Sequence, residues 1–279
     1  PSDVSLKKDL SAVKTRVSKI DEYVFDVENV YLENTLRATG RRTIIALIKY
    51  MEVETIRTGT EVFLTDFETA FSEVLLDGKI NGIDIDSYYP PETIMTDKTF
   101  RDYLYANDAI SIKKAAEKTF NVQTVFDAEF DPDSFNINFI GVDQIDPWFV
   151  DVEANVSFAV STVEGTASWT RNVTIKTQIS VEGFDDPYYL VKTNGAYTNK
   201  IKKTATKFNE WDVAKVKEHI SSGTYVHFQD NDAPSFLTRF VDDVSASSCC
   251  GIESLVDSDN HLIPLDKRSH VDYLFWETG

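Results

Sequence analysis

The chain has 279 residues, 42% of them apolar and 12% aromatic, enough to bury the core of one large domain or two modest ones. A formal charge of −18 and an isoelectric point near 4.6 exclude nucleic acid as a partner, because phosphate binding needs clustered Lys and Arg, and they also disfavour anionic lipid surfaces. No apolar run approaches the roughly 20 residues of a membrane-crossing helix.

From Leu6 the apolar residues fall at Leu6, Leu10, Val13, Val17, Ile20, Val24, Val27 and Tyr31. The alternating steps of four and three make a heptad seam, with Lys and Glu filling the solvated positions between. The pattern predicts a helix of roughly 34 residues, about 50 Å long at 1.5 Å per residue. Such a seam packs either along its own domain or against a second copy of the chain.

Thr39-Gly40 interrupts the stripe and predicts a helix end, followed by a second helix through Ile44, Ile45, Leu47, Ile48 and Met51. A third helix is expected from Val62 to Leu76. After the Pro-rich loop at Tyr88-Tyr89-Pro90-Pro91, a fourth helical region is expected from Phe100 to Phe120.

The period then changes from 3.6 to 2. Phe135, Ile137 and Phe139 alternate with asparagines, and Val150, Val152, Ala154, Val156, Phe158 and Val160 alternate with Asp151, Glu153, Asn155 and Ser157. Val163 to Thr166 supplies a turn, and a second alternating run follows from Trp169 to Val181, which predicts a long antiparallel hairpin with one wet face. Shorter strands are expected at Tyr188 to Val191, Tyr225 to Phe228, Gly251 to Val256 and Val271 to Phe275, with a helix near Asp212 to Ile220. Helices first and strands second give an α+β fold class, with a helical stalk over 1–122 and an antiparallel β-rich domain over 123–279.

The only two cysteines, Cys249 and Cys250, are adjacent. They can be small apolar residues buried beside a turn at Gly251, or close on each other in a vicinal disulfide, which requires a compartment outside a reducing cytosol. A bond to another chain is a further alternative, whereas no Cys/His spacing supports zinc. Asn155-Val156-Ser157 and Asn172-Val173-Thr174 both fit the N-glycosylation acceptor pattern on the polar face of the hairpin, and both also read as ordinary solvated strand residues.

Leu76 to Asp84 resembles the second half of a calcium-binding loop, but Leu75 stands where an oxygen ligand is needed, and a turn at Asp77-Gly78 explains the same letters. His219, His227, His261 and His270 are scattered without a metal-binding spacing. Tyr188, Tyr189 and Trp211 are candidates for a ligand pocket or for core. No nucleophile motif and no Gly-rich phosphate cradle is present, so no catalytic, cofactor-binding or metal residue is assigned.

At "SVEGFDDPYYLVKTNG" (180–195), "APSFLTRFVDDVSASSCCGIESLVD" (233–257) and "SHVDYLFW" (269–276), the chain resembles a group of uncharacterised archaeal cell-surface proteins. These carry an N-terminal membrane helix of the type IV pilin-like kind, then a helical stalk and a β-rich ectodomain. The resemblance implies an extracellular, membrane-anchored protein of unknown activity, with no catalytic residues to carry over and an anchor expected upstream of Pro1; the chain is expected not to be an enzyme. With the heptad seam, the outward sequons, the acidity and the cysteine usage, the expected role is structural, adhesive or in assembly, with self-association through the N-terminal helix and other surface proteins as partners. A ligand-binding sensor ectodomain and a carboxylate-dependent hydrolase are the alternative readings.

Overall fold

The computed structural model describes residues 14, 18, 21–22, 24–85, 88, 99–100, 128–130, 136–162, 168–205, 212–227, 233–243, 245 and 247–254. The seam positions from Leu6 to Ile20, the helical region beyond Phe100, the turn at Val163 to Thr166, the strand at Val271 to Phe275 and the boundary at 122/123 lie outside the described residues. Within them, helices precede antiparallel strands, an α+β order.

The amphipathic helix passes through one π-helical turn, Val27–Tyr31, into α1, Leu32–Thr58. A π turn holds more residues than an α turn. It therefore moves the buried stripe on by one position: Val24 is buried on the seam, Tyr31 is half-buried, and Leu32 takes the core position. From Val24 onward the stripe faces the protein's own core. Leu32, Leu36, Ile44, Leu47 and Met51 are fully buried, each contributing about 1.5–3 kcal/mol relative to exposure.

Helix α1 does not end at Gly40. The glycine lies inside one continuous helix, where a Cβ would stand 2.7 Å from Ile179 Cδ1 and 3.4 Å from the Phe71 ring. Glycine is there to let the helix backbone approach the sheet, at a propensity cost of about 1 kcal/mol relative to Ala. The actual end is Gly59, whose left-handed φ of 68° turns its N–H back to Thr55 O.

The third expected helix begins later than Val62. Residues 62–64 form no regular element, with Leu64 N donating to Phe240 O, and α2 spans Phe67–Asp77. Asp66 caps it by accepting from Thr69 N at 2.8 Å, and hydrogen bonds from Thr69, its side chain first and then this N–H, hold the Asp66 carboxyl below its ordinary pKa. A two-residue hairpin follows, β1 (Lys79–Ile80) and β2 (Ile83–Asp84).

The main sheet contains β3 (Ala128–Phe130), β4 (Asn136–Asp146), β5 (Phe149–Thr162) and β6 (Ser168–Ser180), all antiparallel. Strand β5 is central, paired with β6 along one side and with β4 and then β3 along the other. Val150, Val152, Ala154, Val156 and Phe158 of β5 are buried, as are Ile175, Thr177 and Ile179 of β6. This is the face α1 covers. Arg37 of α1 donates from Nε to Thr177 Oγ1 at 3.0 Å, and Arg41 lies 4.6 Å from the centre of the Phe184 ring.

The remaining short elements are α3 (Pro187–Lys192), α4 (Val213–Ser222), β7 (Tyr225–His227), a 3₁₀ turn at Thr238–Val241 and β8 (Ile252–Ser254). Strands β7 and β8 pair antiparallel. The expected strand at Tyr188 to Val191 is instead helix α3. Asp186 accepts from Tyr188 N at 3.0 Å and Pro187 sits in the first turn, a helix start that needs neither period nor length. Because the whole run from Pro187 to Val191 is buried, its apolar letters carry no periodicity to distinguish helix from strand.

The close approach at Gly40 yields a graded expectation. Gly40→Ala meets only the mobile end of Ile179 and gains helix propensity, so its stability should stay within about 1 kcal/mol of wild type. Gly40→Leu must also displace Phe71 and should destabilise by about 1–3 kcal/mol, both measured by chemical denaturation.

Candidate functional site

The carboxylate of Asp186 is fully buried, and α3, β7 and the 3₁₀ turn all converge on it. Oδ1 accepts the Tyr188 N–H that starts α3, while Oδ2 accepts from Tyr225 Oη at 2.9 Å and from Arg239 Nη1 at 2.6 Å. The second guanidinium nitrogen, Nη2, donates to the carbonyl of Ile252 on β8. Arg239 is 3% exposed, so two opposite charges share a site without water, and each needs the other.

The ionisation of neighbouring groups follows. Burial opposes the Arg239 charge, but Asp186, Tyr189, Tyr225 and Glu253 together outweigh it and the guanidinium pKa is raised. Burial pushes the Tyr225 phenol up, and Asp186 adds to that push. Tyr189 rises for the same first reason, with Arg239 pulling it down and Asp186 pulling it up. Both phenols therefore stay neutral throughout the physiological range.

Cys249 and Cys250 are bonded to each other, Sγ–Sγ 2.06 Å with Cα atoms 3.7 Å apart. Cys249 is exposed and Cys250 is fully buried. Both sulfurs face the main-chain carbonyl of Gln144, at 3.4 Å from Cys249 and 3.1 Å from Cys250. Bonded sulfurs carry no hydrogen, so in this state these are contacts of a carbonyl lone pair with sulfur.

Local geometry holds the pair in place. Cys250 N donates to Ser247 Oγ at 3.1 Å, Ser247 N donates to Ala233 O, and Ile252 N donates to Pro234 O. The carbonyl of Cys249 can only accept, so His227, at 3.1 Å, carries its proton on Nε2. Gly251 is required here, because a Cβ would stand 2.3 Å from Ala233 O. Gln144 itself is buried, its side chain donating to the carbonyls of Asp146 and Pro147 and accepting from Leu237 N at 3.3 Å. One glutamine thus fastens the β4–β5 turn to the 233–250 segment.

The two acceptor asparagines face away from α1, and the register sets their sequons against each other. Asn155 pairs with Thr174 and Ser157 with Asn172, so each asparagine lies opposite the hydroxyl residue of the other sequon. Thr174 Oγ1 donates to Asn155 Oδ1 at 2.7 Å. Asn172 is exposed and Asn155 half-buried.

The remaining candidates disperse. The calcium-loop resemblance at Leu76 to Asp84 is the β1–β2 hairpin, with the Asn81 N–H bonded to Glu73 Oε2 at 2.7 Å. Among the described residues no three His, Cys, Asp or Glu side chains group as metal ligands. Tyr188 and Tyr189 are core rather than pocket lining, packed edge to face at 6.0 Å, whereas Trp211, His261 and His270 lie outside the described residues. Lys192, on α3, joins Glu61 at 2.6 Å and Asp242 at 2.9 Å. Burial opposes its charge, and the two carboxylates raise its pKa.

No family model, no curated protein and no solved structure matches this chain.

Sequence reading missed the Asp186–Arg239 pair entirely. The residues are 53 apart, and the only local signal, an Asp-Pro helix start at Asp186-Pro187, marks a cap and says nothing of a buried charge. Arg239→Met leaves that carboxylate uncompensated and should cost about 3–5 kcal/mol. The double change Asp186→Asn with Arg239→Met should cost less than the sum of the two singles in a denaturation cycle.

His219 gives an acid-side expectation. It is 2% exposed, and burial lowers its pKa to about 4. As the pH falls from about 6.5 towards 4, the unfolded chain takes a proton that the folded protein refuses. The histidine's share of stability, up to about 3 kcal/mol, should be lost across that window and be absent from His219→Phe. Paired denaturation curves at pH 7 and pH 4.5 measure the difference.

Proposed function

We propose that the chain is the extracytoplasmic ectodomain of a membrane-anchored archaeal surface protein, non-enzymatic, with a structural, adhesive or assembly role. The observation that carries this reading is the bonded pair Cys249–Cys250 in a chain with no other thiol, since disulfides persist in oxidising compartments and are rare in the cytosol. Support also comes from a long amphipathic helix laid along one face of an antiparallel meander, the order of elements that the resemblance to pilin-like surface proteins implies.

The interior chemistry favours packing over catalysis. Asp186, Arg239, Tyr189 and Tyr225 have no open side from which a substrate atom could be reached, all being at most 6% exposed. The carboxylate-dependent hydrolase of the alternative reading needs convergent carboxylates at a water-accessible site. Asp186 instead spends its oxygens on the Tyr188 amide, the Tyr225 phenol and the Arg239 guanidinium.

The test uses the product of the full-length gene in its native cells. It should sediment with membranes and be cleaved by protease added to intact cells. Recovery in the soluble cytosolic fraction, protected from that protease, would overturn the reading.

A further inference from the structure

We propose that Cys249–Cys250 is a thiol–disulfide exchange site that reacts at Cys249 and takes a dithiol, of a small molecule or of a protein, as its co-reactant. The inference goes beyond the location of the protein and does not depend on it.

The two sulfurs differ in access. Cys249 is exposed, whereas Cys250 is fully buried behind Gln144, Ser247 and Gly251. Exchange proceeds by attack of a thiolate on one sulfur and departure of the other, so access selects the sulfur attacked. A thiolate of the dithiol bonds to Cys249 Sγ, the Cys249–Cys250 bond breaks, and its electron pair goes to Cys250 Sγ, which takes up a proton. The second thiol of the co-reactant, deprotonated, then attacks the co-reactant's sulfur in the mixed disulfide and displaces Cys249 as thiolate, which takes up the second proton. Two electrons and two protons pass from the dithiol, which leaves as a disulfide, to the cysteine pair.

The site already holds a partner for the reduced state. Gln144 O lies 3.1 Å from Cys250 Sγ, within reach of an S–H donor, so the buried thiol would not be orphaned. In the reduced protein Cys249 is the nucleophile, because it is the exposed sulfur of the pair, with Ser247 Oγ 3.8 Å from it. The Asp186–Arg239 pair and the β7–β8 register are made by other atoms, so the fold survives opening of the bond. What loosens is the seat of the 247–252 segment on the β4–β5 turn.

The experiment takes the purified, folded, aerobically prepared protein, treats it with dithiothreitol under native conditions, and alkylates with iodoacetamide over time. Peptide mass spectrometry should show Cys249 modified at least about tenfold faster than Cys250, with equal rates once the protein is unfolded in urea. Hydrogen exchange should quicken at 144–148 and 247–252 on reduction while the backbone of β5 stays protected. Equal alkylation of both cysteines in the folded protein, faster modification of Cys250, a bond that dithiothreitol does not open, or two free thiols before any reductant is added would each overturn the proposal. These outcomes are independent of cell fractionation, so a failure here is distinct from a failure of the surface reading.

Discussion

A carboxylate placed where no water reaches it must find a cation and hydrogen-bond donors within the protein, and the C-terminal half is arranged around that requirement at Asp186. The residue starts helix α3, fixes Tyr225 on β7 and neutralises Arg239. Arg239 in turn carries the constraint to the Ile252 carbonyl on β8, two residues beyond the disulfide. Four short elements, α3, β7, the 3₁₀ turn and β8, are thus joined through one charge pair and its hydrogen bonds. Such a pair gives limited net stability compared with a well-packed apolar substitute. Its contribution here is one of placement, because separating α3 from the 3₁₀ turn strands both charges.

The larger half of the fold obeys a different rule. Helix α1 lies on the apolar face of β5 and β6, and dispersion and apolar burial reward the closest approach the backbones allow. Gly40 sets that distance against Ile179. The alternation along β5 and β6 then leaves the opposite face polar, and the register brings Asn155 against Thr174 and Ser157 against Asn172. The two halves share one continuous core, which runs from Val24 on the helix through the sheet to Phe236, Phe240 and Ile252.

Where the halves meet, Gln144 is one polar connection, beside the Leu64 N–H to Phe240 carbonyl bond and the Lys192–Glu61 pair. The glutamine side chain holds Leu237 and its carbonyl faces the bonded sulfurs. The cysteine pair is the place where chemistry from outside can reach the interior, because one sulfur is exposed and its neighbour is in the core.

The sequence by itself determined the order of the two periods and the hairpin at 148–182, because amphipathic patterns report which face of a regular element is buried without knowledge of what buries it. It also showed the adjacency of Cys249 and Cys250 and the polar side of both sequons, since these are local facts. Gly40 was misread as a helix end because a glycine selected for close approach and one selected for a left-handed turn are written with the same letter. Tyr188 to Val191 was misread as a strand because a short run buried on all sides has no period. Only the tertiary structure decided the pairing of Asp186 with Arg239, the opposition of the two sequons and the seat of the disulfide on Gln144. Each depends on register or on contacts across 53 to 106 residues of chain, and the free energy that selects such contacts arises only when the elements dock and exclude water.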